Sequence, residues 1–252
     1  EGGVTQMQNL VNLAVAETNQ SYINSNMNQR INLAHMEEVS YTESADMATD
    51  LDRLTTQSDG YIDQVHTLRN TYYADLVSMF IESSQYCGVG WLMSTVSPSF
   101  EANAFTVVSR DCATGYYSFA HEMGHNEGAR HEWYTDTNTT PYAYAHGYAY
   151  IPGQWRTIMA YDAPCQASGV SCTRLQYWSN PGVLYNGVAM GVSGGSNPAD
   201  NHLALNNTCS TVANFRDEPD APGTFGKSAP ANGATGVSTS PTLSWGASSG
   251  AT

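Results

Sequence analysis

The chain has 252 residues, enough for one large domain or for one domain plus the start of another. Nine Lys+Arg against 23 Asp+Glu leave a net charge of −14, and Lys227 is the only lysine. So acidic a surface repels phosphate backbones and anionic headgroups, so no nucleic-acid partner is expected. No apolar run approaches the ~18 residues of a spanning helix either, so no membrane insertion is expected.

The opening "EGGVTQMQNL" carries no signal-peptide pattern and reads as a processed or trimmed start. Residues 4–24 place Met7, Leu10, Val11, Ala14 and their neighbours mostly three to four apart, which predicts an amphipathic helix. "RINLAHMEEVSY" (30–41) has the alternation of a strand. Residues 43–57 predict a second helix with Ser44 as N-cap, and 61–73 a third. "ADLVSMFIE" (74–82), "GVGWLM" (88–93) and "FTVVSR" (105–110) are apolar runs of strand length. Helices alternate with strands, which predicts a mixed α/β domain.

From about residue 132 the periodicity fades into Tyr-, Gly-, Asn- and Pro-rich sequence that ends near 212–220. One domain over 1–218 is therefore expected, followed at 219–252 by a Pro/Gly/Ser/Thr-rich linker. That linker runs into "PTLSW", which resembles the first strand of a fibronectin type III-like module. So short a piece cannot close a sandwich, and a flexible tail is expected.

Cys87, Cys112, Cys165, Cys172 and Cys209 contain no CxxC pair. This argues against cysteine-ligated zinc and for disulfides in an oxidising compartment, with one cysteine left over. A secreted, extracellular protein is expected.

The chemistry concentrates in "HEMGHNEGARH" (121–131). On a helix His121 and His125 project from one face, one turn apart, as two nitrogen ligands of one zinc require. Glu122 lies on the adjoining side, where it can act as general base. Gly128 can take positive φ, end the helix and return the chain so that His131 offers a third nitrogen. Three protein ligands leave an open position, which marks catalytic zinc rather than structural zinc. HExxH alone is a weak signal, but HExxHxxGxxH fixes five positions.

This stretch resembles the metzincin zinc metallopeptidases, and "RTIMAYD" (156–162) resembles their methionine turn. The resemblance implies a twisted mixed sheet with an antiparallel edge strand, an active-site helix and an irregular C-terminal subdomain. It implies Met159 as the floor beneath the histidines, although a lone methionine is ordinarily core filler. It also implies that Tyr161 binds the metal or supports the oxyanion, where the plainer role is a buried, hydrogen-bonded tyrosine. Glu132 and "TIMAY" are astacin-like. Stretches within 75–131, with "PYAYAHGYAY", "RTIMAYD" and "YWSNPGVLYNGVAMG", are more similar to bacterial secreted reprolysin-like, peptidyl-Asp metallopeptidases. Reprolysin-like enzymes usually carry aspartate where Glu132 stands.

By the same resemblance Gly88, Val89, Gly90, Trp91 and Leu92 form the edge strand that pairs with extended protein or peptide substrate. Cys87 and Cys112 bracket the two neighbouring strands and are expected to pair. Cys165 and Cys172 are expected to stiffen the wall of the primed-side specificity pocket. Peptidyl-Asp cleavage implies a basic group there, Arg156 or Arg174, with surface salt bridges as the plainer role. His146, His35, His66 and His202 are not expected to be ligands. Asp200, Asn201 and Asn207 are candidates for a calcium site, without EF-hand spacing.

Reprolysin-like domains begin with a parallel strand before the first helix. Here the sheet is expected to be one strand short, or completed by a separately cleaved segment. The expectation is therefore a secreted, monomeric zinc endopeptidase that prefers acidic residues after the scissile bond. A non-catalytic adhesion protein with a structural metal site is the alternative from another class, and an amidase on the same site is the alternative enzyme. The natural substrate is not legible.

Overall fold

The computed structural model describes residues 3–216 and 227–246, which fall into two units, Glu1–Arg216 and Asp217–Thr252. The expected domain boundary at 218/219 and the first linker residues, 219–226, lie outside the described residues.

The first unit opens with three helices, α1 (Gly3–Asn24), α2 (Met47–Thr55) and α3 (Gln64–Thr71). The strands β1 (Val77–Ile81), β2 (Gly88–Gly90) and β3 (Phe105–Ser109) follow, then helices α4 (Arg110–Ala113) and α5 (Ser118–Asn126). Beyond these come β4 (Ala149–Tyr150), β5 (Trp155–Arg156), α6 (Ala163–Ala167), β6 (Thr173–Arg174), β7 (Asn180–Tyr185), β8 (Val188–Met190) and α7 (Asn201–Val212).

The main sheet has the order β1-β3-β2, with β1 parallel and β2 antiparallel to the central strand. All five residues of β3 are buried, because helices cover both faces. Met47, Leu51, Leu54 and Ile62 pack with Ile81, Phe105 and Val107 on one face. Ala14, Phe119 and Met123 pack with Val108 on the other. Each of the larger side chains, fully buried, contributes about 1.5–3 kcal/mol. Among the described residues the sheet has three strands, and none precedes α1.

Three local readings are corrected. Residues 30–41 form no strand. Their alternation arises because Ile31, Val39 and Tyr41 each anchor an irregular segment against the core. The second helix starts at Met47 and is capped by Asp46, whose carboxylate accepts from the Ala48 amide. Ser44 Oγ instead accepts from the Asp46 amide, 3.1 Å away. α1 does not bury the apolar row around Leu13, which is exposed; it sinks Ala14, Thr18, Ser21 and Tyr22. Small residues let it approach closely enough for Tyr22 to stack on Trp178, centroids 5.6 Å apart.

After residue 131 the strands are two or three residues long except for β7, and the chain is held by side chains rather than ladders. The short sheet β4-β5-β6 matters most, since it places Arg156 and Arg174 side by side on parallel strands. Disulfides join Cys87 to Cys112 and Cys165 to Cys172, and Cys209 is free. In the second unit, β9 (Lys227–Ala229) pairs antiparallel with β10 (Ser244–Trp245), inside the "PTLSW" stretch. No described helix is long and apolar enough to cross a membrane.

Candidate active site

Helix α5 carries the site and is buried along its whole length. It ends because Glu127 caps it and Gly128 takes φ +91°, a left-handed turn that folds the chain back. His131 thereby returns beneath the helix, with its Nε2 3.0 Å from His121 Nε2 and 3.1 Å from His125 Nε2. The outer faces of two rings are fixed. His121 Nδ1 lies 2.9 Å from the Ile158 carbonyl and His125 Nδ1 2.9 Å from the Ala129 carbonyl.

A carbonyl accepts only, so both Nδ1 atoms carry the hydrogen and both Nε2 atoms present bare lone pairs. His131 Nε2 can donate to one of them, not to both. Burial holds all three rings neutral, with His125 down to about 4 and His131 to about 3. Three neutral nitrogens converging on one point, each backed or packed from behind, suit a divalent cation. The other close cluster, Asp162 with Cys165 and Cys172, does not, because its two sulfurs are disulfide-bonded.

The return loop is braced on both sides. His146, fully buried, sets Nδ1 2.7 Å from the His131 carbonyl and Nε2 2.9 Å from the Asn138 carbonyl. Arg130 pairs with Asp136 at 2.6 Å. Glu132 was legible only as a family marker, yet it ties this loop to the methionine turn: its Oε2 accepts from the Tyr161 amide at 2.7 Å. The Tyr161 ring lies over His131, centroids 4.1 Å apart, and burial raises its phenol to about 12. Met159 is fully buried, next to Ile158, whose carbonyl orients His121. A Cβ built at Gly124 would lie 2.9 Å from Met159 Sδ and 2.6 Å from Trp178 Cζ3, so helix and turn meet only through that glycine.

Glu122 is buried, and burial pushes its carboxyl up to about 8 against the opposing charge of Arg174. It lies against β2. A Cβ on Gly88 would meet Glu122 Oε1 at 2.6 Å, and one on Gly90 would meet Oε2 at 3.3 Å. In the sequence Gly88 and Gly90 stand only as part of the expected substrate strand; glycine alternating within a strand is the signal of such close approach.

The ladder ends at Gly90, shorter than the run 88–93 suggests. Beyond it Asn126 Nδ2 takes the Trp91 carbonyl and the Met93 amide turns to the His125 carbonyl, while Leu92 lies between them. The Ser109 amide reaches Cys87 O, and the Trp91 amide reaches Phe105 O. Odd-numbered residues of this strand therefore face β3. Gly88 and Gly90 turn their amides and carbonyls to the open edge, while Val89 packs into the core.

The two arginines differ. Arg156 is buried and engaged throughout: Nε donates to Cys172 O, Nη1 to Ala160 O and Nη2 to Tyr116 Oη. It braces the methionine turn against the 165–172 loop. Arg174 is only partly engaged, and its charge reaches His121, His131, Glu122 and Tyr161. The calcium candidates have other work and give calcium no support. Asp200 caps α7, Asn201 Nδ2 donates to Ala145 O, and Asn207 Nδ2 donates to Tyr144 Oη.

Comparison with known proteins fits this geometry. The peptidyl-Asp metalloendopeptidase of one Stenotrophomonas maltophilia strain is 52% identical over 213 residues, covering 83% of this chain and 48% of that protein. The protein of the same name from Xanthomonas campestris pv. campestris is 51% identical over 210 residues, covering 83% and 47%. The one from Pseudomonas fragi is 42% identical over 201 residues, 79% of this chain and 100% of its own length. The chain thus spans about half the length of the first two curated relatives. A chain in a solved chaperone-substrate complex superposes with TM-score 0.58 at 18% identity, over 86% of this chain and 36% of that one, a likeness of fold alone. The model of metallo-peptidase family M12B, reprolysin-like, matches residues 1–186. On that match and these relatives, the chain belongs to the reprolysin-like M12B metallopeptidase family.

Proposed function

We propose that this protein is a secreted zinc metalloendopeptidase that hydrolyses internal peptide bonds, with a preference for an acidic residue after the scissile bond. The observation that carries the reading is the convergence of the His121, His125 and His131 Nε2 atoms beside the buried carboxyl of Glu122. These histidines would hold zinc, which when bound supplies a Lewis acid for the scissile carbonyl and the attacking water. The acidic preference is supported by the names of the relatives, and secretion by the two disulfides.

Glu122 accepts the proton of the attacking water and returns it to the leaving amine. Its carboxyl, raised by burial to about 8 against the charge of Arg174, would fall with a divalent charge beside it, so that the base is ionised near neutral pH. The Tyr161 phenol, its ring tilted over His131, donates a hydrogen bond to the developing oxyanion. The outward amides and carbonyls of Gly88 and Gly90 pair with an extended substrate of any sequence. Arg156 acts by holding the turn under the site, not by touching substrate.

The test uses zinc-loaded protein with two peptide-bond substrates, denatured casein and a peptide library, and beside them a cell-wall fraction. Cleavage that chelation abolishes and added zinc restores is the expected result. A protein that binds zinc and leaves both substrates intact would instead fit the adhesion reading, and release of cell-wall fragments alone would fit the amidase.

A further inference from the structure

Arg174 leaves part of its guanidinium unanswered. Its Nη1 donates to Tyr116 O at 3.1 Å and Nη2 reaches Ala160 O at 3.5 Å, while Nε has no partner. Its Cζ lies 4.3 Å from the Tyr116 ring centroid, so the aromatic face orients the fork. Among the described residues no carboxylate lies within ion-pair distance of it, whereas Arg110, Arg130, Arg156 and Arg216 each have one.

A charged neighbour repels it. Arg156 stands beside it on the parallel strand, and burial together with that charge holds Arg174 down to about 10, still protonated at neutral pH. A cation kept partly desolvated next to another cation gains from an incoming carboxylate more than a solvated surface arginine would. The site around it supplies no such carboxylate except Glu122, which the reaction uses.

The rest of the molecule makes this local charge necessary. With a net charge of −14 and its one lysine at position 227, the chain repels acidic peptides except where positive charge is concentrated. Arg156 cannot supply the contact, since its three donor nitrogens already face Cys172 O, Ala160 O and Tyr116 Oη.

We infer that Arg174 is the specificity-determining residue, its guanidinium receiving the carboxylate of an aspartate on the residue that follows the scissile bond. This rests on the peptidase reading above. A carboxylate accepts a forked pair of N–H bonds; the isosteric amide of asparagine brings neither the charge nor two acceptors.

The experiment compares fluorogenic peptides that differ only in Asp, Asn or Lys after the scissile bond, cut by zinc-loaded wild type and by Arg174→Gln, Arg174→Lys and Arg174→Glu. The Asp:Asn ratio of kcat/KM should fall about ten- to a hundredfold in Arg174→Gln. It should be partly restored in Arg174→Lys, and Arg174→Glu should prefer Lys over Asp. Zinc content and near-ultraviolet circular dichroism check folding, because Arg174 also braces Tyr116 and Ala160. An Asp:Asn ratio unchanged in Arg174→Gln, with zinc content and circular dichroism those of wild type, overturns the assignment while leaving the peptidase intact. Wild type that cuts none of these peptides and no casein overturns both.

Discussion

Gly88 and Glu122 share one space: the hydrogen of the glycine leaves the room in which the carboxyl lies, 2.6 Å from where a Cβ would stand. The strand whose Gly88 and Gly90 amides and carbonyls face the open edge is also the wall against which the Glu122 carboxyl lies. Gly88 is not in the left-handed region, so alanine is tolerated by the backbone and only the side chain must yield. Gly88→Ala should displace Glu122 by a fraction of an ångström and lower kcat roughly tenfold to a hundredfold. Metal content should stay that of wild type. A variant with normal kcat would show that Glu122 tolerates displacement.

Glu122→Gln removes the base and nearly nothing else. The glutamine fills the same notch and needs no ionisation in a buried site, so fold and metal content should persist. Turnover of casein or peptide should fall by about a hundredfold to ten-thousandfold. Normal digestion by this variant would refute the proton-transfer role.

Metal retention should outlast ordinary histidine titration. A folded-state value below the ordinary one near 6.5 means that the folded chain keeps the neutral, ligating form as pH falls. With His125 near 4 and His131 near 3, protons compete for these nitrogens only in that lower range. Dialysis across a pH series with metal analysis should place half-loss well below pH ~6.5. Loss that follows a titration near that value would mean that the histidines are more solvated than the geometry indicates.

Tyr161→Phe separates two roles of one side chain. The ring packed over His131 and the amide bonded to Glu132 both survive the change, so stability and metal content should hardly move. If the phenol donates to the oxyanion, kcat should drop by on the order of a hundredfold or more, with little change in KM. Unchanged kcat would leave Tyr161 a packing residue.

The candidate site was legible to the extent that its chemistry is local. His121, Glu122 and His125 lie within one helical turn and a half, and Gly128 turns the chain toward His131 within three residues. What was illegible depends on contacts across the fold. Nothing near Arg156 in the chain foretells that its donors face Cys172 and Tyr116, and nothing near Glu132 foretells the Tyr161 amide. The alternation at 30–41 misled because single anchors such as Val39 and Tyr41 imitate a strand's two faces without a partner strand. The polar buried face of α1 was missed for a related reason, since Ser21 is buried by its bond to Trp178 Nε1, 157 residues away.

The contact of Gly124 with Trp178 and Met159 bears on how this site can be re-engineered. The zinc-peptidase motif is written with two free positions between its histidines, and a designer would randomise both. Here the second is closed: any side chain at 124 enters the indole ring and the thioether at under 3.0 Å. A selection for activity from a library at 123 and 124 should return diversity at the first position and glycine at the second. Only a library that shrinks Trp178 and also varies Met159 would release it.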